Sequence, residues 1–312
     1  MITSPEELAR LAESNHDVIL TREIVKLGVT KRDLREAQLM LYRIRRGAYC
    51  LVPPATREAA HLLACRAALR SSNAPLALSH VSAAVAWRLP QFDTPFDRIH
   101  LSRVGDLRQS AKRAADLHIH HRLVGPEELA EFDGIALTSP SRTVVDCATQ
   151  LPVESAVVIG DAALNRGLCT MEELQARLSD SVRCKGAAHA RRVLELLDAR
   201  CESPGESRLR LQIQCLGYAV ESQVEVVHDG SFVARADFRI SGTRVLVEFD
   251  GRTKYASDPE KAHWEEKKRH DRIISAGYEV VRVVWSDLTR AQYLDRLIRE
   301  AVRRSRIRGS AA

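Results

Sequence analysis

The most constraining feature of this sequence is an apolar run that carries a carboxylate. The run Val245–Phe249 is apolar except for Glu248, and a turn-forming aspartate and glycine follow it. Such a run predicts a buried β-strand. An acid inside it costs free energy unless a cation or a hydrogen bond compensates. Asp237 lies in a second predicted strand just upstream, and Glu206 begins a predicted helix. Three carboxylates brought together in this way can bind a hard divalent cation.

Composition and charge narrow the classes of protein. The 312 residues suffice for two or three domains. The net charge of +6 and the isoelectric point near 9.0 favour a polyanionic partner. The sequence has no apolar run of the roughly 20 residues that a membrane span needs and no signal-peptide pattern at its start. The seven scattered cysteines contain no Cys-x-x-Cys pair, which predicts neither zinc nor disulfides. We therefore expect a cytoplasmic protein without a membrane partner.

Residues 1–55 have the pattern of a winged helix-turn-helix domain. Three predicted helices precede two short β-like runs around Gly47, and residues 21–46 carry eight Lys or Arg against three Asp or Glu. Double-stranded DNA is the predicted partner. The third helix would place Lys31, Arg32 and Arg35 at the major groove, and the wing would place Arg43, Arg45 and Arg46 on the backbone or minor groove. The alternatives are a solvated basic face or a protein-interaction module.

Residues 56–200 form the second predicted domain, a mixed α/β middle region with little overt chemistry. His118 and His120 lie on one face of a predicted strand, and a half-exposed strand face explains them without a metal because no acidic or cysteine partner is near in sequence. Arg142 and Asp146 lie one helical turn apart, which predicts an ion pair.

Residues 201–312 form the third predicted domain, with the element order helix, three strands, helix, strand and C-terminal helix. This order, with acids on the first helix and two adjacent strands, is typical of a restriction-endonuclease-like core. The stretch 206–288 resembles the very-short-patch-repair endonuclease type of the PD-(D/E)XK nuclease superfamily. The resemblance rests on Glu206 with Arg208 and Arg210, the strand of Asp237, Glu248–Phe249–Asp250–Gly251, residues 266–271 and residues 277–285.

The resemblance implies roles for the matching positions. Asp237 and Glu248 would hold Mg²⁺ or Mn²⁺, and Glu206 would complete or orient the site. The superfamily has a lysine two residues after the second acid, whereas this chain has Asp250. Lys254 would then replace that lysine, or Asp250 would become a further metal ligand. His263 and His270 are candidate general acids or bases. An alternative is that the acids pair with nearby arginines: Arg208, Arg235, Arg239 and Arg244.

Residues 1–200 are similar to AbiEi-type antitoxins of type IV toxin–antitoxin systems. The similarity rests on the helix-hairpin start, the segment 79–84 and the segment 138–146. It implies transcriptional autorepression through the winged helix and a cognate toxin as a further partner. The fold expected is therefore a multidomain α/β protein. Two functions follow: a Mg²⁺-dependent DNA endonuclease docked by the winged helix, or a non-catalytic repressor whose nuclease-like domain is degenerate.

Overall fold

The computed structural model describes residues 5–27, 39, 41–105, 114–180, 184–251 and 259–309. The protein is mixed α/β, with three sheets in the described part of the chain. It divides into two compact units, one formed by residues 1–151 and 169–190 and the other by residues 152–168 and 191–312. No helix within the described ranges is both long enough and apolar enough to cross a membrane. The three predicted domain boundaries remain a prediction.

The N-terminal unit begins with a small antiparallel sheet. Helices α1 (Pro5–Glu13) and α2 (Thr21–Lys26) accompany strands β1 (Ile19–Leu20), β2 (Tyr42–Arg45) and β3 (Ala48–Cys50), in the order β1-β3-β2. The predicted hairpin is confirmed, and Gly47 at its turn adopts a φ of +75° that favours glycine. A core of Leu8, Ala12, Ile19, Ile24, Leu41 and Tyr49 holds these elements together. The predicted recognition helix, residues 31–40, lies outside the described residues except for Leu39, so the winged-helix interpretation remains a prediction.

The same unit contains a five-stranded sheet in the order β6-β5-β4-β8-β7. Its strands are β4 (Leu76–Leu78), β5 (Ile99–Val104), β6 (Leu117–Val124), β7 (Leu129–Phe132) and β8 (Ile135–Thr138). Helices α3 (Arg57–Ser71), α4 (His80–Ala86) and α5 (Pro140–Ala148) belong to this unit. The pairs β5–β6 and β4–β8 are parallel, whereas β4–β5 and β7–β8 are antiparallel. Apolar side chains of α3, α4 and the sheet form one core.

Helix α5 supports the predicted ion pair and extends it into a buried network. Nε of Arg142 donates to Asp146 at 2.8 Å, and Nη1 donates to Glu128 at 2.7 Å. Arg142 is 1 % exposed, so both carboxylates are needed to compensate its burial. Helices α6 (Val153–Asn165), α7 (Met171–Asp180) and α8 (Ala187–Glu195) follow in the chain, and α6 belongs to the C-terminal unit.

The C-terminal unit has the predicted helix–strand–strand–strand–helix–strand order. Its elements are α9 (Pro204–Cys215), β9 (Val220–His228), β10 (Ser231–Ile240), β11 (Val245–Phe249), α10 (Pro259–Ser275), β12 (Glu279–Val283) and α11 (Ala291–Gly309). The sheet order is β12-β11-β10-β9, in which β11 pairs parallel with β12 and antiparallel with β10. Helices α9 and α11 pack on one face of the sheet, and α10 contributes Ile273 to a second core on the other.

Helix α6 is held in the C-terminal unit by a buried ion pair. Arg210 of α9 donates to Asp161 of α6 at 3.0 Å, and the backbone N–H of Asp198 donates to the other Asp161 oxygen at 2.7 Å. Asp161 is fully buried and Arg210 is 3 % exposed. Burial raises the pKa of Asp161, and the charge of Arg210 opposes that rise. The charge on each residue is therefore tolerated only while the other is present.

This pair yields a prediction about stability. Arg210→Met leaves a buried carboxylate without its cation, and we expect a loss of about 3–5 kcal/mol in the free energy of unfolding. The matched control is Arg235→Met, because Arg235 pairs with Glu202 while both side chains are about half exposed. That change should cost less than about 1 kcal/mol. Urea unfolding of the full-length variants measures both values. Equal small losses would contradict a structural role for the buried pair.

Candidate active site

Strands β10 and β11 place two predicted site residues opposite each other. Phe238 pairs with Val247 and Arg239 with Leu246 in antiparallel register. One step further along the same register, Asp237 lies opposite Glu248. Side chains alternate between the two faces of a strand, so Glu248 shares the face of Leu246, on which α10 packs. The sequence prediction that these two acids meet on adjacent strands is therefore consistent with the strand pairing.

Asp237 is partly buried and carries an unusually basic carboxylate. Its Oδ2 accepts a hydrogen bond from the backbone N–H of Phe249 at 2.7 Å. Its pKa is raised to about 6, chiefly by burial and further by the negative charges of Glu206 and Glu248, whereas the Phe249 hydrogen bond and Arg269 lower it. Asp237 therefore stands in an environment with an excess of negative charge, which a bound cation would neutralise.

Glu248 is buried and held by a bidentate ion pair. Only 8 % of the residue is exposed. Nη1 of Arg269 lies 2.9 Å from Oε1, and Nη2 donates to Oε2 at 2.9 Å. Nε of Arg282 lies 3.7 Å from Oε2. A paired guanidinium compensates a buried carboxylate in the way that the apolar environment of β11 requires.

Glu206 lies in the first turn of α9, where its backbone and its carboxylate are both hydrogen-bonded. Its backbone N–H donates to Oγ of Ser203 at 3.2 Å, and that hydroxyl donates to Oε1 at 2.7 Å. Oε2 accepts from the backbone N–H of Glu202 and from Nε2 of Gln223, both at 3.0 Å. Gln223 has a φ of +54° within β9, a strained conformation of the kind that clusters at functional sites. These bonds fit Glu206 to orient the site rather than to hold a metal.

Gly205 explains why α9 begins beside the end of β11. A Cβ atom built on Gly205 would lie 1.9 Å from a ring carbon of Phe249. Only a glycine allows the helix to approach this closely. The Phe249 ring also packs edge-on against Trp285, with a centroid distance of 4.9 Å. The Pro-Gly-Glu start of α9 thereby brings the charge of Glu206 near Asp237.

Asp250 stands where the nuclease superfamily has a lysine, and Lys254 is the predicted replacement for that lysine. The structure describes the first of these residues but not the second. Asp250 lies just after β11 and is exposed, and its backbone N–H donates to Val283 at 2.8 Å. Lys254 falls in residues 252–258, outside the described residues, so its proposed replacement role remains a prediction. Nδ1 of His270 is buried and has no hydrogen-bond partner within the described ranges.

The arginines nearest in sequence pair with other groups. Arg208 pairs with Glu154 at 2.7 Å, Arg235 with Glu202 at 2.8 Å and Arg239 with Glu221, and Arg244 lies over the ring of Tyr278. The arginine that holds Glu248 is Arg269, which the sequence reasoning missed. Its signal was the charged segment 266–271, which had contributed to the resemblance without receiving a role.

The donor set determines whether a metal fits. Carboxylate oxygens are the ligands that Mg²⁺ and Mn²⁺ prefer. Asp237 and Glu248 supply them, and the excess negative charge at Asp237 favours a cation. Within the described ranges, however, the group of three potential ligands with donor atoms within 4.8 Å of one another is formed by histidines, not by these acids. The acids therefore fit a cation with two protein ligands, provided that Arg269 leaves Glu248.

The predicted DNA-contacting residues divide into three groups. Arg43 and Arg46 are exposed on the β2–β3 hairpin. Arg45 instead makes an ion pair with Asp116 at 2.9 Å, and its side chain is 14 % exposed. Lys31, Arg32 and Arg35 lie outside the described residues. Within the described part of the hairpin, Arg43 and Arg46 are the arginines available to a DNA backbone.

Comparisons with known proteins give relatives without an assigned activity. No family model matches the chain. Two uncharacterised proteins of Mycobacterium tuberculosis, MT2308 of strain CDC 1551 / Oshkosh and Rv2248 of strain H37Rv, are each 28 % identical over 186 residues. The match covers 56 % of this chain and 68 % of each relative. The crystal structure of the RV2827C protein from Mycobacterium tuberculosis is similar over 65 % of this chain and 78 % of that one, with 18 % identity and a TM-score of 0.37.

The raised pKa of Asp237 predicts a pH-dependent effect on stability. The folded protein keeps the Asp237 proton up to about pH 6, whereas the ordinary value is 3.8. Stability from this group is therefore lost as the pH rises through that window. Asp237→Asn removes the loss, so the melting temperature of the variant relative to wild type should increase between pH 4.5 and pH 7 without metal.

The control for this prediction is Asp229→Asn, because the Asp229 side chain is 89 % exposed in the same unit. Thermal melts in a chelator at both pH values measure the difference. A constant offset between Asp237→Asn and wild type at the two pH values would contradict the raised pKa.

Proposed function

We propose that the protein binds double-stranded DNA and that its C-terminal unit is a divalent-cation-dependent DNA endonuclease. The observation that carries the proposal is the pairing of β10 with β11, which sets Asp237 opposite Glu248 in an environment of excess negative charge. A structural ion pair needs one carboxylate beside its arginine. Here Asp237 lies beside Glu248, and the charge of Glu206 adds to the rise in the pKa of Asp237. This arrangement costs stability and suits a cation.

The residues of the proposed site have separate roles. Asp237 and Glu248 would hold Mg²⁺ or Mn²⁺, with Asp250 as a further ligand from the end of β11. The cation would activate water and stabilise negative charge on the phosphate during hydrolysis of a phosphodiester bond. Glu206, fixed by Ser203 and Gln223, would orient the site.

Arg269 supports the proposal by its position. The nuclease pattern has a lysine near the second acid, and this chain has Asp250 instead. Arg269 brings a positive charge to the same acid from α10, and Arg282 adds another from β12. A guanidinium released from Glu248 could contact phosphate oxygens, which it binds as well as it binds carboxylates. Lys254 remains the alternative source of that charge.

A second candidate function is a non-catalytic DNA-binding repressor of the antitoxin type, with a cognate toxin as partner. The bidentate contact favours it, because Arg269 occupies both carboxylate oxygens of Glu248. In that case the acids are a structural remnant, and the C-terminal unit serves as a scaffold.

Cleavage of plasmid and linear DNA with Mg²⁺ or Mn²⁺ tests the endonuclease. We expect metal-dependent cleavage by wild type and a loss of at least 100-fold in Asp237→Asn and in Glu248→Gln, because each variant removes a charged ligand. Asp229→Asn is the matched control and should cleave as wild type does. Absence of cleavage by wild type, together with retained binding of duplex DNA, would overturn the proposal in favour of the repressor.

The hairpin predicts a separate effect on DNA binding. Arg43→Glu with Arg46→Glu should weaken binding to all duplexes alike and should lower the salt dependence of the affinity by about one ion for each lost phosphate contact. Arg98→Glu, a charge reversal at an arginine outside the hairpin whose side chain is 56 % exposed, is the control. Fluorescence anisotropy at several salt concentrations measures both. An unchanged salt slope in the double variant would exclude the hairpin as a phosphate-binding element.

A further inference from the structure

Four histidine side chains of the N-terminal unit, His80, His100, His118 and His120, form what we call the histidine cluster. His80 is the first residue of α4, His100 lies on β5, and the other two lie on β6. The parallel register sets His100 beside His118, and alternation along β6 brings His120 to the same face. The sequence shows only the pair on β6 as neighbours, so the fold assembles the cluster from three elements.

The rings of the histidine cluster are in close contact. The His80 and His120 rings stack with centroids 3.6 Å apart, and those of His118 and His120 with centroids 4.2 Å apart. Nδ1 of His100 lies 3.0 Å from Nε2 of His120. One nitrogen from each of His80, His100 and His120 falls within 4.8 Å of the other two. The nitrogens of a tetrahedral zinc site lie about 3.4 Å apart, given bonds of about 2.1 Å.

Three of these imidazoles are held in the neutral form that binds metals. Burial, followed by the neighbouring histidines, lowers the pKa of His100 to about 4 and that of His120 to about 3. The same causes lower the pKa of His80 well below its ordinary value. A neutral imidazole keeps one N–H and one lone pair, so a ring proton satisfies the 3.0 Å contact between Nδ1 of His100 and Nε2 of His120, and a bound metal ion would replace that proton.

The buried carboxylate of Asp146 lies beside the His80 ring, on the side of its Nδ1 atom. Nδ1 of His80 contacts Oγ of Ser79 at 3.0 Å and lies 3.8 Å from Oδ2 of Asp146, which leaves Nε2 as the nitrogen for a ligand. Oδ1 of Asp146 accepts from Arg142, whereas Oδ2 is buried without a hydrogen-bond partner in the described part of the chain. Asp146 is only 5 % exposed. In zinc sites, a carboxylate behind a ligating histidine commonly fixes the orientation of the imidazole.

The backbone at His80 adds an independent sign of a constrained position. His80 has a φ of +51°, in the left-handed region that side chains other than glycine and asparagine rarely adopt. Ser79 directly precedes α4, and its side chain makes no capping hydrogen bond to the helix backbone but contacts the His80 ring instead. The start of α4 is thus organised around the imidazole at the expense of the helix cap, which is typical of strain kept at a functional site.

We propose that His80, His100 and His120 bind a divalent transition-metal ion of the zinc class, with Asp146 orienting His80. Three neutral imidazoles select Zn²⁺ and its neighbours over Mg²⁺ or Ca²⁺, which prefer oxygen. Three protein ligands leave one coordination position open, as in catalytic rather than closed structural zinc sites. His100 and His120 are partly exposed, so the ion has access from solvent. This site is separate from the acids of the C-terminal unit and does not depend on the proposed endonuclease activity.

Binding of Co²⁺ and Zn²⁺ to the metal-free full-length protein tests the site. We expect one equivalent of Co²⁺ with the visible absorption of a tetrahedral nitrogen-rich site, displaced by Zn²⁺. His100→Gln and His120→Gln should weaken binding at least 10-fold, and Asp146→Asn should weaken it by about 10–100-fold. His121→Gln, an exposed histidine on the same strand, and Asp229→Asn, at an exposed position of the C-terminal unit, are the controls and should leave the tetrahedral absorption unchanged.

X-ray absorption of the Zn²⁺-loaded wild type identifies the ligands of the metal ion without a variant, and so tests the site even if a histidine variant fails to fold. We expect imidazole nitrogens at about 2.0–2.1 Å in the first shell. A shell of oxygen atoms alone, tetrahedral absorption lost in Asp229→Asn, binding unaffected by His100→Gln and His120→Gln, or the lack of a stoichiometric complex at micromolar Co²⁺ would each overturn the site.

Discussion

The ion pair between Arg269 and Glu248 is the interaction on which the C-terminal unit depends. Strand β11 lies between β10 and β12, and three of its residues, Val245, Leu246 and Val247, are fully buried. A carboxylate on that strand would be costly without a partner, and Arg269 supplies one from α10 with two matched contacts. The pair therefore compensates a buried charge and ties α10 to the centre of the sheet.

The same pair connects stability with the proposed chemistry. Asp237 lies opposite Glu248, and its pKa is raised although Arg269 is near. Burial is the largest cause of that rise, and the charges of Glu206 and Glu248 add to it against the charge of Arg269. A sheet selected for stability alone would not need the second carboxylate. We propose that the negative charge of these carboxylates favours the binding of a cation, and that Arg269 pairs with Glu248 in the cation-free protein.

Sequence reasoning succeeded where the information is local. Period-two and period-3.6 patterns gave the element order of the C-terminal unit, the β2–β3 hairpin and the ion pair between Arg142 and Asp146. It failed where partners are distant in sequence. Arg269 lies 21 residues from Glu248, and several nearer arginines looked equally suitable.

The histidines show the same limit. His118 and His120 have no partner near them in sequence, because His80, His100 and Asp146 reach the cluster from the start of α4, from the parallel strand β5 and from the last turn of α5. No spacing rule encodes such an encounter, because a crossover between parallel strands has no fixed length. The assignment of α6 to the C-terminal unit is another case, since the contacts of Arg208 and Arg210 with Glu154 and Asp161 span about 50 residues.

Anomalous diffraction from crystals of the full-length protein grown with Mn²⁺ tests the central claim most directly. We expect an anomalous peak beside the carboxylates of Asp237 and Glu248, with the Arg269 guanidinium moved away from Glu248. An intact pair between Arg269 and Glu248 at millimolar Mn²⁺, with no peak at Asp237, would contradict it and would identify the acids as structural.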